Sequence, residues 1–161
     1  MLTTSDLMLQ TISSSNRGYE LGRKAVQIFR NEQQRAWFHR IAAFLRRECP
    51  ALADLQKVSR SGKVIGSHYA GTKTVSIDAI HGTEAKGSDF DRHFHPINCR
   101  TISRWISIFQ ARLNNQPLPP VELIQVGQEY YVRDGHHRIS VAHALGEAYI
   151  EAEVTVWEVA R

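Results

Sequence analysis

The strongest constraint on this chain is the order of turn signals in its C-terminal quarter. "VELIQV" and "EYYVRD" read as two short strands. Gly127-Gln128 between them suits a tight hairpin. An Asp-Gly turn at 134–135 leads into a helix from about His136 to Leu145, and Gly146 stands where a C′ glycine ends a helix. "YIEAEVTVWEV" then alternates Ile150, Ala152, Val154 and Val156 with Glu151, Glu153, Thr155 and Trp157, as a strand with one buried face does. Such a run commits the chain to a sheet with a helix packed on it.

Upstream, residues 17–48 contain no proline, and Leu21, Ala25, Ile28, Phe29, Ala36, Trp37, Ile41, Phe44 and Leu45 recur at helical spacing. The spacing predicts one long helix or two in series, capped by Asn16 after a loosely docked lead-in. Pro50 ends it or begins a short helix, "PALADLQKV". A Ser/Gly-rich boundary near residue 60 separates a basic helical segment, 1–60, from a domain over 61–161. There "TKTVSIDAIHG" alternates as a half-buried strand, "GTEAKGSDFDRHFHP" follows as a polar loop, and Asn98 caps a helix carrying Ile102, Trp105, Ile106, Phe109 and Leu113. The expected fold is α/β: a mixed sheet with packed helices, preceded by an N-terminal helical segment.

The net charge of +4 is unevenly placed. Residues 1–60 hold ten Lys/Arg against five Asp/Glu, and the remainder ten against eleven. An anionic partner is therefore expected over 17–48, either DNA through Arg40, Arg46 and Arg47 or an acidic protein surface. A solvated basic helix face has the same composition. The long helix also offers a route to a homodimer. No apolar run approaches the ~20 residues of a membrane span. The N-terminus lacks a basic start and a continuous apolar stretch, so no secretory signal is expected. Cys49 and Cys99 read as reduced, buried or half-buried thiols. The expected location is cytoplasmic.

The chemistry concentrates in "DGHHR". A helix beginning at His136 aims its first backbone N–H groups and the positive end of its dipole beyond the strand, where phosphate is a natural occupant. Gly135 permits the sharp turn and close approach. His137 and Arg138 add side-chain donors. Asp134 suits Mg²⁺ binding, acceptance of a proton from an attacking hydroxyl, or orientation of a histidine. Adjacent His136 and His137 diverge by about 100° on a helix and would not chelate one ion together. In the plainer reading Asp134 only caps the helix, Arg138 only pairs with Glu129 or Glu151, and His143 is structural. A second cluster, "SDFDRHFHP", would place Asp89, Asp91, His93 and His95 on one face if extended. It suits a hard-metal or general-base site, or equally a solvated strand edge anchored by Phe90 and Phe94. Glu84 is a further free carboxylate in the preceding loop.

"LPPVELIQVGQEYYVRDGHHRISVAHALGEAYIEAEV", with "VSIDAIHG" and the helix after Asn98, resembles the ParB/sulfiredoxin superfamily over about residues 72–158. The resemblance implies nucleotide phosphate held at the 134–138 turn. Its members include CTP-hydrolysing partition proteins, ATP-using sulfiredoxins, ADP-dependent free serine kinases and proteins described as ParB-like nucleases. Sulfiredoxins carry their reactive cysteine in Gly-Cys-His-Arg, where this chain has His136, so that activity is not expected. Partition proteins carry a Gly-Glu-Arg-Arg type motif at Gly135 to Arg138 and continue into a helix-turn-helix domain, which is not expected in a sequence ending at Arg161. Likeness to the serine kinases would make Asp134 catalytic or Mg²⁺-linked and His136, His137 and Arg138 phosphate contacts, with Glu84 the nearest counterpart of their catalytic glutamate.

The sequence thus leads to a nucleotide-binding protein taking ATP, ADP or CTP with Mg²⁺, and hydrolysing or transferring phosphate. Two alternatives stand beside it. One is a DNA- or protein-binding module acting through the basic helices. The other is a metal-dependent nuclease using Asp89, Asp91 and His93.

Overall fold

The computed structural model describes residues 4–47, 51–56, 64–84 and 89–160, and for residues 4–17 the backbone alone. Helix α1 spans Thr4–Arg46 without interruption. The expected cap at Asn16 is not taken up, because the serine-rich stretch before it contains no breaker and the helix runs on through it. Strand β1 is Ala53–Asp54, β2 Val64–Ser76, β3 Ile80–Thr83, β4 Val121–Val126, β5 Glu129–Asp134 and β6 Tyr149–Val159. Helix α2 is Ile102–Leu113 and α3 is His136–Ala144.

The six strands form one mixed sheet in the order β1-β3-β5-β4-β6-β2. β4 and β5 are the expected antiparallel hairpin turning at Gly127, while β6 returns parallel to β4 after α3. Side chains alternate as the β6 pattern requires, with Ile150, Ala152 and Val154 buried. Gly146 has the positive φ of 75° that a helix-ending glycine adopts.

Three local expectations are corrected. The stretch 74–82 is not one strand: β2 ends at Ser76, a 3₁₀ turn occupies Ile77–Ala79, and β3 starts at Ile80. Since β2 lies at one edge of the sheet and β3 next to the other, the chain must turn there to cross. The short helix expected over 50–58 does not begin at Pro50: the chain is extended from Ala51 to Asp54, where Ala51 bridges to Asp91 and β1 pairs in parallel with β3, and turns helical only at Leu55 and Gln56, with 57–58 outside the described residues. Gly82 makes that pairing possible, since a Cβ there would stand 2.4 Å from the Ala53 carbonyl oxygen and 2.5 Å from the Tyr131 ring. Third, Cys99 is exposed, its Sγ 3.5 Å from Gln33 Nε2. Cys49 lies outside the described residues.

The helices cover one face of the sheet. Val121, Leu123, Val132, Ile150, Ala152 and Val154 meet Ile139, Val141 and Ala142 of α3 and Trp105 and Phe109 of α2, and Ala25 and Phe29 of α1 belong to the same core. A small cluster of Leu55, Ile124 and Tyr131 fills the other face. Phe29 meets Trp105 edge-on at 5.5 Å, and Trp105 stacks on Phe109 at 5.3 Å. The apolar stripe expected along α1 divides. Ala25, Phe29, Ala36 and Ala43 are buried, whereas Trp37, Phe44 and Leu45 are exposed. Among the described residues no helix is long and apolar enough to cross a membrane.

Because Phe29 is fully buried against Trp105, Phe29→Ala should cost about 3–5 kcal/mol in urea unfolding. A loss below about 1 kcal/mol would show that α1 is not part of the cooperative core.

Candidate functional site

The turn from β5 into α3 is built on Gly135, which has φ 105° and ψ 16° and offers no capping side chain. A Cβ at that position would lie 2.6 Å from Val121 Cγ1, so both conformation and space demand glycine. Its carbonyl accepts from the Ile139 amide at 3.0 Å, which starts the helix. The amides of His136 and His137 belong to the first turn, ahead of that bond, and have no partner within the helix.

Each side chain of the motif has a distinct setting. His136 Nε2 is 2.8 Å from Thr83 Oγ1, and that hydroxyl donates to the Val132 carbonyl at 3.3 Å. Burial lowers the His136 pKa; the neighbouring His137 adds to the effect and Asp134 opposes it. His137 sets its ring edge-on to buried Phe90 at 5.0 Å. Burial is also the main cause lowering its pKa, helped by the Arg104 charge on α2 and opposed by Asp89 and Asp134. Arg138 is committed beneath the turn: Nη1 donates to the carbonyls of Pro119 at 2.6 Å and Pro120 at 2.8 Å, and Nη2 pairs with Asp134. It therefore braces the β4 entry and the helix start, with Asp134 as partner rather than Glu129 or Glu151.

The carboxylates proposed for catalysis and metal binding have separate partners. Glu84 pairs with Arg133 at 2.9 Å. Asp89 accepts from Asn98 Nδ2 at 3.3 Å and lies 3.6 Å from Arg100. Asp91 is almost fully buried, with Oδ1 accepting from the amides of His93 and His95, both at 2.9 Å. The extended reading of residues 88–96 is thus corrected. The chain folds into a tight turn in which the Asp91 amide donates to the His95 carbonyl, the Phe94 amide donates to the Asp91 carbonyl, and Phe94 has φ 61°. The reversal still brings Asp91, His93 and His95 together, with His95 Nδ1 3.9 Å from Asp91 Oδ1 and the His93 and His95 rings 6.0 Å apart, while Asp89 pairs with Asn98 and Arg100 and Phe90 and Phe94 are buried as anchors. Arg40, Arg46 and Arg47 are exposed at the end of α1.

The structure also gathers residues that the sequence reading did not join. His39 of α1 lies 4.8 Å from His93 and 4.9 Å from His95 between ring centroids, and His143 of α3 lies 5.1 Å from His95. Glu32, buried in α1, reaches within 3.8 Å of His95 Nδ1. Burial pushes the His95 pKa down to about 4 against the opposing pull of Asp91, with His143, His39 and His93 adding to the fall. A cleft of about 650 Å³, walled in part by His93, Phe94 and His143, opens beside this cluster.

No family model matches the chain, and no curated protein does. Among solved structures the chain is similar to a sulfiredoxin from Arabidopsis thaliana, at 14% identity over 52% of this chain and 82% of that one, with a TM-score of 0.37.

His136 and His137 carry pKa values below 6.5 in the fold, so the unfolded chain binds the protons first. Their contribution to stability is present above pH 6.5 and is lost as pH falls through that value toward their folded pKa values. Urea midpoints measured between pH 6.5 and about 5 should decline on acidification, and His136→Asn should flatten the decline. An unchanged slope in that variant would remove His136 from this account.

Proposed function

We propose that the protein binds the phosphate groups of a nucleotide, ATP, ADP or CTP, at the β5–α3 turn. What supports this reading is the glycine-started helix. Gly135 leaves the α3 N-terminus without a side-chain cap, so the positive end of the helix dipole and the first-turn amides stand at the C-terminal end of β5 with no side chain of the turn satisfying them. A bound phosphate would accept from these amides and from His137, with Arg104 supplying positive charge from α2. His136, held by Thr83, and Arg138, held by Asp134 and two proline carbonyls, would position the turn rather than carry the ligand. Asp134 is half-exposed and stands at the turn, so it is the carboxylate that would ligate an accompanying Mg²⁺. Asp91 is turned toward His39 and His95 and fits that role less well. Hydrolysis or phosphoryl transfer would then proceed by positioning and charge stabilisation at the helix terminus.

The test is calorimetric titration of ATP, ADP and CTP with Mg²⁺ into the folded protein and two variants. Arg104→Ala should cost about 1.5–3 kcal/mol, the range for a hydrogen bond to a charged group, and His137→Ala about 0.5–1.5 kcal/mol, as for a neutral donor. Failure of the folded wild type to bind any of the three, or affinities untouched in both variants, would reject the reading.

A further inference from the structure

We propose that Glu32, His95 and His143 form a binding site for a divalent transition-metal ion of the zinc class, separate from the phosphate turn. One oxygen or nitrogen atom from each of the three lies within 4.8 Å of the others. Zinc bonds of about 2.0–2.2 Å place tetrahedral ligands about 3.4 Å apart, so the widest separation needs to contract by up to about 1.4 Å to close on an ion. Two imidazoles and one carboxylate form a donor set for zinc or a neighbouring first-row metal, whereas magnesium and calcium favour all-oxygen sites.

The separations within the cluster support an ion. His95 Nδ1 lies 3.2 Å from the His93 carbonyl oxygen and stands 3.8 Å from Glu32 Oε2 and 3.9 Å from Asp91 Oδ1, too far to hydrogen-bond either carboxylate directly. The tautomer that donates from Nδ1 to that carbonyl leaves the Nε2 lone pair for an ion. The side chains of Glu32, His95 and Asp91 are 5%, 4% and 1% exposed, so two carboxylates are withdrawn from water here. Arg35 donates to Glu32 Oε1 at 3.0 Å and leaves Oε2 facing His95. Asp91 supplies an independent observation: its buried Oδ2 has no hydrogen-bond partner, and its nearest cationic candidate is His39 Nδ1 at 4.0 Å. A divalent cation in the cluster would offset this concentration of buried negative charge.

Access and placement fit the proposal. His143 is half-buried and forms part of the wall of the 650 Å³ cleft, so an ion held there reaches solvent from that side and keeps a position for water or an anionic ligand. The three ligands come from α1, the 89–98 segment and α3, so the ion would fasten the long helix to the domain.

The experiment uses the full chain, stripped with a chelator, reloaded with Zn²⁺, desalted and analysed for bound metal by mass spectrometry. The wild type should retain one equivalent, and Glu32→Gln and His143→Ala, each verified as folded by circular dichroism, should lose it. No metal retained by the folded wild type overturns the proposal, as does an equivalent that survives both substitutions. Should Glu32→Gln fail to fold, Co²⁺ substitution of the wild type decides: intense visible bands of a four-coordinate, nitrogen-containing site are expected, and the weak spectrum of a hydrated ion would overturn it. Nucleotide binding enters none of these readouts, so the two proposals stand or fall separately.

Discussion

The buried hydrogen bond from Trp105 Nε1 to Ser140 Oγ, 3.0 Å long, is the constraint on which both chemical regions depend. At nine residues α3 is too short to be stable alone, since isolated helices below about 12–15 residues are marginal in water. Its stability comes from packing Ile139, Val141 and Ala142 into the core, while Ser140, equally buried, satisfies the indole N–H that Trp105 brings in from α2. Trp105 in turn receives Phe29 of α1. A polar contact inside an apolar stack fixes how α2 sits over α3, because any slip leaves a buried donor unpaired. The placement of α1 follows from that of Trp105.

The turn 89–98 solves a second problem, how to bury a carboxylate. Asp91 Oδ1 takes two backbone amides and thereby shapes the turn, which places His93 half-exposed and His95 inside. The same turn seats Phe90 against His136 and His137, and bridges Phe90 to Pro96. Burying an acid is unfavourable unless it is paired, and here the backbone compensates only one of its two oxygens. Local backbone geometry and the histidine cluster are therefore parts of one arrangement.

How far the sequence foretold this depends on whether the signal is local. The hairpin at Gly127, the glycine turn at 135, the stop at Gly146 and the alternation of β6 were legible because each is fixed by a few adjacent residues. The start of β2, residues 64–71, was missed because it is an edge strand, paired among the described residues with β6 alone and exposed along most of its length, so its side chains do not alternate in polarity. The extended reading of "SDFDRHFHP" failed because alternation cannot reveal the backbone reversal that Asp91 imposes. Glu32 had a usable signal: it follows Phe29 by three residues and precedes Ala36 by four, on the buried face of α1. Its grouping with His95 and His143 had none, since those residues meet only when α1, the turn and α3 converge on the core.

That convergence explains why one short helix carries two kinds of chemistry. Its N-terminus owes its character to backbone dipoles and to Gly135, and needs no particular side chain at the cap. His143, seven residues and about 10 Å further along at 1.5 Å per residue, owes its setting to tertiary neighbours: His95 from the turn and, through His95, Glu32 of α1. Substitutions that leave the core intact can therefore alter one region without displacing the other. Loosening the Trp105–Ser140 contact would move the helix and so misplace both. The shared part is the packing of α3, and the distinct parts are the groups at its two ends.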